Sequence, residues 1–102
     1  MRTLPGLLAL SQFDSMKSMN SKHTKTLQAV FSKATPTALE WAKLEALLIA
    51  VGCQVIEGRG SRVRFAMNGK IATLHRPHPT KEAKPYQVEH AREFLTAIGI
   101  KP

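Results

Sequence analysis

Apolar side chains recur at helical spacing in the first half of the chain. In residues 22–33, and again in residues 37–51, they fall three or four positions apart, which predicts two amphipathic helices. Thr37 and Glu40 fit a capping box at the start of the second helix, because the Glu40 carboxylate can accept from the Thr37 amide. Gly52 supplies the end of that helix. We therefore expect two consecutive helices before the first strand.

The pattern then changes to the alternation of polar and apolar residues that is typical of β-strands. Strands are predicted at 53–57, 62–67 and 70–75. Between the last two, Asn68-Gly69 predicts a two-residue hairpin of type I′, because both positions of that turn need a positive φ. The second and third strands are therefore expected to pair antiparallel.

A helical pattern returns at the end of the chain. Pro85 suits the first turn of this helix, and Gly99 ends it. The apolar stripe between them consists of Val88, Ala91, Phe94, Leu95 and Ile98. The order α-α-β-β-β-α predicts an α+β domain with a three-stranded antiparallel sheet and its helices packed on one face.

The hairpin also determines which side chains share a face of the sheet. With Met67 facing Lys70 across the turn, Arg62 lies opposite His75. Side chains alternate along a strand, so one face must meet the helices; it carries Val63, Phe65, Met67, Ala72 and Leu74. The other face is open to water; it carries Arg62, Arg64, Thr73 and His75, with Ala66 and Ile71 near the turn. The hairpin thus predicts an exposed surface rich in cations.

The charge of the whole chain strengthens this prediction. The 102 residues include 15 Lys and Arg against 7 Asp and Glu, a formal charge of +8. The stretch 58–84 contributes +6 of that charge, since it holds seven cations and one anion, Glu82; the cations are Arg59, Arg62, Arg64, Lys70, Arg76, Lys81 and Lys84. Such a balance indicates a polyanionic partner: nucleic acid, an anionic membrane surface or an acidic protein.

Length and cysteine content exclude several other classes of protein. A chain of this length forms one domain, and the single cysteine, Cys53, excludes a disulfide framework and a cysteine-rich zinc module. No apolar run approaches the ~20 residues of a membrane span. Residues 1–20 are expected to be a disordered extension rather than a signal peptide, because Pro5-Gly6 interrupts their short apolar stretch. That leaves 21–102 as the domain and the cytoplasm as its expected compartment, with no metal, cofactor or small-molecule ligand expected.

Two histidines lie where the cationic surface ends. His75 closes the third strand, and His78 follows it in a Pro-rich loop. An imidazole can take a proton from a ribose 2′-hydroxyl or give one to a leaving oxygen, and a neighbouring guanidinium can hold the phosphate. His75 and His78 are therefore the candidate catalytic residues. The candidate RNA-binding residues are Arg59, Ser61, Arg62, Arg64 and Arg76.

Residues 41–100 resemble the HicA-type mRNA interferase toxins of bacterial type II toxin–antitoxin systems. The features that carry the resemblance are a helix ending in Gly52, then Glu57-Gly58-Arg59-Gly60-Ser61-Arg62 leading into a strand, then Arg76-Pro77-His78, and a last helix ending Phe94-Leu95-Thr96-Ala97-Ile98-Gly99-Ile100. The resemblance implies a fold like that of double-stranded-RNA-binding domains, α-β-β-β-α. It also implies cleavage of mRNA without a metal cofactor and neutralisation by a HicB-type antitoxin.

The chain departs from the family at one position. The family usually has Gly-Ser-His where this chain has Gly60-Ser61-Arg62, and that histidine is the residue expected to be catalytic. Arg62 cannot act as a base, because a guanidinium stays protonated at neutral pH. Either His75, across the hairpin, or His78, in the loop, can supply an imidazole instead. Two other functions stay open: a non-catalytic RNA-binding domain of the same fold, and a basic subunit that binds an acidic partner protein.

Overall fold

The computed structural model describes residues 20–102, and within that range it has the predicted order of elements. The helices are α1 (Ser21–Val30), α2 (Trp41–Ala50) and α3 (Pro85–Ala97), and the strands are β1 (Gln54–Glu57), β2 (Arg62–Met67) and β3 (Lys70–His75). The α+β fold is therefore confirmed. The disordered extension predicted for residues 1–20 lies outside the described residues, apart from Asn20.

The sheet is antiparallel in the order β1-β2-β3, and its hairpin has the predicted register. Met67 faces Lys70, and Arg62 faces His75. Asn68 and Gly69 have φ angles of 53° and 76°, as a type I′ turn requires. The two-residue turn therefore gives each side chain of β2 and β3 the face that the sequence predicts.

The helices α2 and α3 cover one face of the sheet and enclose the core with it. Val63 and Phe65 of β2 are fully buried there, and so is Ala72 of β3. The Trp41 ring of α2 packs against Phe65 with centroids 6.4 Å apart. The apolar stripe predicted for α3 is buried as well; it consists of Val88, Ala91, Phe94, Leu95 and Ile98. One face of the sheet is thus a core, and the opposite face stays open.

The first helix is shorter than its apolar pattern predicts. It begins after Asn20, whose side-chain oxygen accepts from the His23 amide at 3.0 Å, and it ends at Val30 instead of residue 33. The Val30 carbonyl accepts from Arg92 Nε of α3 at 2.7 Å, where a longer helix would place a backbone amide. A side chain from a distant part of the sequence therefore occupies the end of α1.

The capping box predicted at Thr37 and Glu40 is wrong. The second helix begins only at Trp41, and the structure has no side-chain capping bond at Glu40. Residues 39–40 are instead extended beside the loop 76–84: the Trp41 amide donates to the Lys81 carbonyl at 2.8 Å, and the Ala83 amide donates to the Leu39 carbonyl at 2.7 Å. The start of α2 is thus capped by backbone from another segment.

No helix among residues 20–102 is both long enough and apolar enough to span a lipid bilayer.

Candidate functional site

The open face of the sheet brings Arg62 and His75 together. They are direct partners in the β2–β3 register, and both side chains are exposed. Side chains opposed in an antiparallel pair have Cβ atoms about 5 Å apart, close enough to contact one phosphate group together. Arg64 lies two residues further along β2, on the same face, opposite Thr73. The structure thus places two guanidinium groups and one imidazole in a row of neighbouring exposed positions.

The turn between β1 and β2 adds Ser61 to this pair. Ser61 Oγ lies 3.5 Å from His75 Nδ1, within reach of a hydrogen bond. The turn is closed by its own backbone, since the Gly58 amide donates to the Arg62 carbonyl at 2.9 Å and the Arg62 amide donates to the Arg59 carbonyl at 3.1 Å. A Cβ at Gly58 would lie 3.1 Å from the Arg62 Cβ, so glycine permits this close approach. Arg59 is exposed in the same turn.

The open face also carries apolar side chains, of which the sequence predicts Ala66 and Ile71 but not Ile56. Ile56 of β1 lies opposite Arg64, with 36 % of its surface exposed, and Ile71 of β3 is 60 % exposed. Ala66 lies opposite Ile71. Ala66 and Ile71 therefore occupy the end near the hairpin, whereas Ile56 lies among the cations at the end near the β1–β2 turn.

Arg76 is not the free cation that the charge count predicts. It comes directly after His75, so alternation directs its side chain to the helical side of the sheet, where it contacts two carboxylates. Arg76 Nε and Nη2 donate to Glu45 of α2 at 3.0 and 2.9 Å, and Nη1 and Nη2 donate to Glu57 of β1 at 2.7 and 3.0 Å. Trp41 Nε1 donates to the Glu45 carboxylate as well, at 2.7 Å. We call Glu45, Arg76 and Glu57 the arginine clasp.

Contacts within the arginine clasp lower the pKa of its two carboxylates and raise the pKa of its guanidinium. The hydrogen bonds from Arg76 hold the pKa of Glu45 below its ordinary value, against a smaller opposing effect of burial. The same guanidinium lowers the pKa of Glu57, and the two carboxylates together raise the pKa of Arg76. The clasp therefore stays ionised at neutral pH.

The clasp connects the ends of the two outer strands beneath the candidate site. Glu57 is the last residue of β1, and Arg76 follows the last residue of β3. The Arg76 amide donates to the Ser61 carbonyl at 2.8 Å, which extends the β2–β3 ladder by one bond. Arg62 and His75 thus project from the open face of the sheet. The arginine clasp stabilises the same end of the sheet from the helical side.

A second tether, Gln87 of α3, was not anticipated from the sequence. Its side chain is buried, with 1 % of the residue exposed. The amide nitrogen of Gln87 donates to the His75 carbonyl, and its oxygen accepts from the Lys84 amide at 2.9 Å. Gln87 is the third residue of α3, and glutamine at that position of a helix indicates a capping bond such as the one from the Lys84 amide. The bond to His75 had no signal in the local sequence.

In a comparison with models of protein families, residues 41–100 match the model described as "HicA toxin of bacterial toxin-antitoxin". The chain belongs to the HicA toxin family. No curated protein and no solved structure matches the chain in the corresponding searches. As a HicA-family protein it is a toxin of a bacterial toxin–antitoxin system. Membership of such a system implies an antitoxin partner.

The HicA match covers the whole candidate site and leaves α1 outside. It begins at Trp41, the first residue of α2, and it ends three residues after α3. It includes Ser61, Arg62 and His75 as well as all three members of the arginine clasp. The helix α1 (Ser21–Val30) is an addition that packs on the HicA domain, where Arg92 Nε donates to the Val30 carbonyl.

The remaining candidate residue, His78, lies apart from the strand pair. It is exposed in the loop 76–84 that connects β3 to α3. The structure places His75, and not His78, in register with Arg62. Within residues 20–102 no group of three or more His, Cys, Asp and Glu side chains is arranged to hold a metal ion.

Proposed function

We propose that this HicA-family toxin is an endoribonuclease that cleaves mRNA without a metal ion and is neutralised by a HicB-type antitoxin. The observation that carries the proposal is the exposed pair of Arg62 and His75 at the cationic end of the open face. A guanidinium and an imidazole side by side can supply the charge stabilisation and the proton transfer that phosphodiester cleavage by an internal nucleophile uses.

The proposed reaction uses the 2′-hydroxyl of the RNA as its nucleophile. Neutral His75 accepts the proton of that hydroxyl while the 2′-oxygen forms a bond to phosphorus. The bond from phosphorus to the 5′-oxygen of the next nucleotide breaks, and that oxygen takes a proton from His78 or from water. Arg62 offsets the charge that develops on the phosphoryl oxygens. The products are a 2′,3′-cyclic phosphate and a 5′-hydroxyl end.

The same surface provides the groups that would hold the RNA chain. Arg59 and Arg64 are exposed on either side of Arg62, and each contact to a phosphate adds a salt-dependent contribution to affinity. Ser61 can contact a phosphate oxygen or orient the His75 ring. RNA binding is therefore expected to weaken steeply as salt is raised.

The test is cleavage of a defined mRNA by the purified full chain in the presence of EDTA. His75→Asn is expected to lower the cleavage rate by at least about a hundredfold, because general acid–base groups contribute about 10²–10⁴. His90→Asn is the matched control, since His90 is exposed on α3 and outside the site. Cleavage by His75→Asn at the rate of the unmodified protein contradicts the assignment of His75, and His78→Asn then tests the loop histidine.

A second function, RNA binding without cleavage, is favoured by one observation. Arg62 stands where the family usually has its catalytic histidine, and a guanidinium cannot remove a proton from a hydroxyl at neutral pH. This alternative predicts salt-dependent binding of RNA and no 2′,3′-cyclic phosphate product at any pH. Analysis of the product ends in the same experiment separates the two functions.

A further inference from the structure

A groove between α1 and α2 lies outside the candidate RNA site. It has a volume of about 610 Å³. Its floor is apolar and consists of Ala29 from α1, Leu39 from the segment before α2, and Ala42 and Ala46 from α2. One of its two walls is α1, which the family match leaves outside. The groove is therefore a feature of this chain beyond the matched HicA domain.

The helix α2 is apolar on both of its sides. Leu44, Leu47 and Leu48 face the core and are fully buried. On the other side, Ala42 is exposed, Ala46 is half-buried, and Ile49 keeps 50 % of its surface exposed. Residues 42, 46 and 49 follow helical spacing and share a face. This exposed apolar face lies opposite the buried face of the same helix, and an exposed apolar surface of this kind has the character of an interface.

The rim of the groove is positively charged on both walls. The cations are Lys22 and Lys25 on α1 and Lys43 on α2, and His23 lies beside the first two. None of the described residues that line the groove is acidic. The occupant that complements this lining carries an apolar stripe between two acidic flanks. Because the floor is an apolar surface between two helices, an amphipathic helix fits it by the helix-in-groove mode of recognition.

RNA is a poorer match for the same groove. Nucleic acid bound in a groove is held by arginine forks and stacked aromatic rings as well as by positive charge. The lining has neither arginine nor an aromatic ring other than His23. Thr26 also lines the groove, and its hydroxyl already donates to the Lys22 carbonyl at 2.9 Å. The apolar floor therefore favours a protein helix.

We propose that the α1–α2 groove is the docking site for an acidic amphipathic helix of a partner protein. Leucine-like side chains of that helix pack on Ala42, Ala46 and Ile49, and its acidic side chains pair with Lys22 and Lys25 on one wall and Lys43 on the other. This proposal concerns a surface separate from Arg62 and His75, and it does not depend on RNA cleavage.

The probe is a synthetic helical peptide of about 18 residues, roughly 27 Å long, with leucines at helical spacing and glutamates on both flanks. A peptide of the same composition in scrambled order is its control. The full-length protein is titrated with each peptide, and methyl chemical shifts of Ala29, Ala42, Ala46 and Ile49 report where binding occurs. The expected result is saturable shifts at these methyl groups with the amphipathic peptide and at least tenfold weaker binding of the scrambled one.

Two pairs of variants test the apolar floor and the charged rim separately. Ala42→Glu places a carboxylate in the groove, whereas Ala50→Glu makes the same change at an exposed alanine of α2 outside the lining. Lys25→Glu reverses a rim charge, whereas Lys33→Glu reverses an exposed charge outside the lining. Ala42→Glu and Lys25→Glu are expected to weaken peptide binding at least tenfold, and the two controls less than twofold. All four positions are at the surface, and circular dichroism verifies that each variant folds.

Several results would overturn the proposal. If no binding is seen at about 1 mM peptide, the dissociation constant is too high for specific recognition. That result rejects the groove as a helix site. Equal effects of Ala42→Glu and Ala50→Glu show that the contact is not in the groove. If the protein dimerises and Ala42→Glu abolishes the dimer, the groove is assigned to a second copy. If RNA shifts the methyl signals of these four residues, the groove is assigned to nucleic acid.

Discussion

Ser61 Oγ and His75 Nδ1 lie 3.5 Å apart, on two segments that the β1–β2 turn and the end of β3 bring together. The hydroxyl can hold one ring nitrogen of His75 while the other nitrogen faces the substrate. Ser61 is thereby a candidate positioning residue for the proposed base. This relationship gives the chain a local support for an imidazole at position 75, on the strand that pairs with Arg62.

Replacement of Ser61 tests that relationship. Ser61→Ala is expected to lower the kcat of RNA cleavage about fivefold, the rate equivalent of losing a hydrogen bond of about 1 kcal/mol. KM should stay unchanged, because the phosphate contacts of the arginines remain. Ser61→Thr, which keeps the hydroxyl, should restore most of the rate, and Ser32→Ala is a control at an exposed serine. A rise in KM at constant kcat would instead assign Ser61 to RNA binding.

An exchange of the paired residues tests whether the proposed base can act from either of the two strands. His75→Arg alone is expected to lower the rate of RNA cleavage at least about a hundredfold, because it removes the proposed base. The double variant Arg62→His/His75→Arg places the imidazole on β2 and the guanidinium on β3, at the same two opposed positions. We expect the double variant to regain at least about tenfold over the single variant. No recovery in the double variant, while it remains folded, would contradict the idea that the two positions are equivalent.

The arginine clasp predicts how stability depends on pH. Its guanidinium lowers the pKa of Glu45 in the folded protein, so the stabilisation is fully present above the ordinary glutamate pKa of about 4.3. As pH falls through the lowered pKa of Glu45 in the folded protein, this carboxylate becomes protonated in the folded as well as the unfolded protein. The stabilisation is then lost. The free energy of unfolding, measured by urea denaturation at a series of pH values, should therefore decline below about pH 4.3.

A variant isolates the contribution of Glu45 to this decline. Glu45→Gln is expected to lower the free energy of unfolding at pH 7 by about 1–2 kcal/mol, since it weakens charged hydrogen bonds at a partly exposed position. The same variant should lose less stability between pH 7 and pH 3 than the unmodified protein does. Glu93→Gln, at an exposed position of α3, serves as the charge-matched control. Identical pH profiles for Glu45→Gln and the unmodified protein would show that the clasp does not control acid stability.

The single cysteine predicts slow reaction with thiol reagents in the folded state. Cys53 is buried before β1, and burial raises the pKa of its thiol to about 11. At pH 8 the thiolate fraction is then more than about a hundredfold below that of an exposed cysteine with a pKa of about 8.5. Alkylation, followed by mass spectrometry, should be correspondingly slow in buffer and fast in urea. A variant carrying Ser32→Cys provides an exposed reference thiol, and equal labelling of the two thiols would refute the prediction.

The sheet was predictable in detail because its determinants are local. Asn68-Gly69 sets the turn, the turn sets the register, and the register places Arg62 opposite His75. The boundaries of α1 and α2 were less predictable. Their ends are capped by Arg92 and by the Lys81 carbonyl, which come from residues 40 to 62 positions away in the sequence.

The sequence by itself determined the α+β order, the paired strands, the positive charge and the kinds of residue at the candidate site. Only the tertiary structure decided which of the cations are free. Arg76 counts as a cation of the basic stretch, yet it is bound by Glu45 and Glu57 once α2 packs against the end of the sheet. Alternation along a strand is a local rule that a sequence displays, whereas an ion pair between a helix and a strand end forms only when distant segments meet. The same physical reason explains why the tether from Gln87 to the His75 carbonyl and the groove between α1 and α2 are visible only in the folded chain.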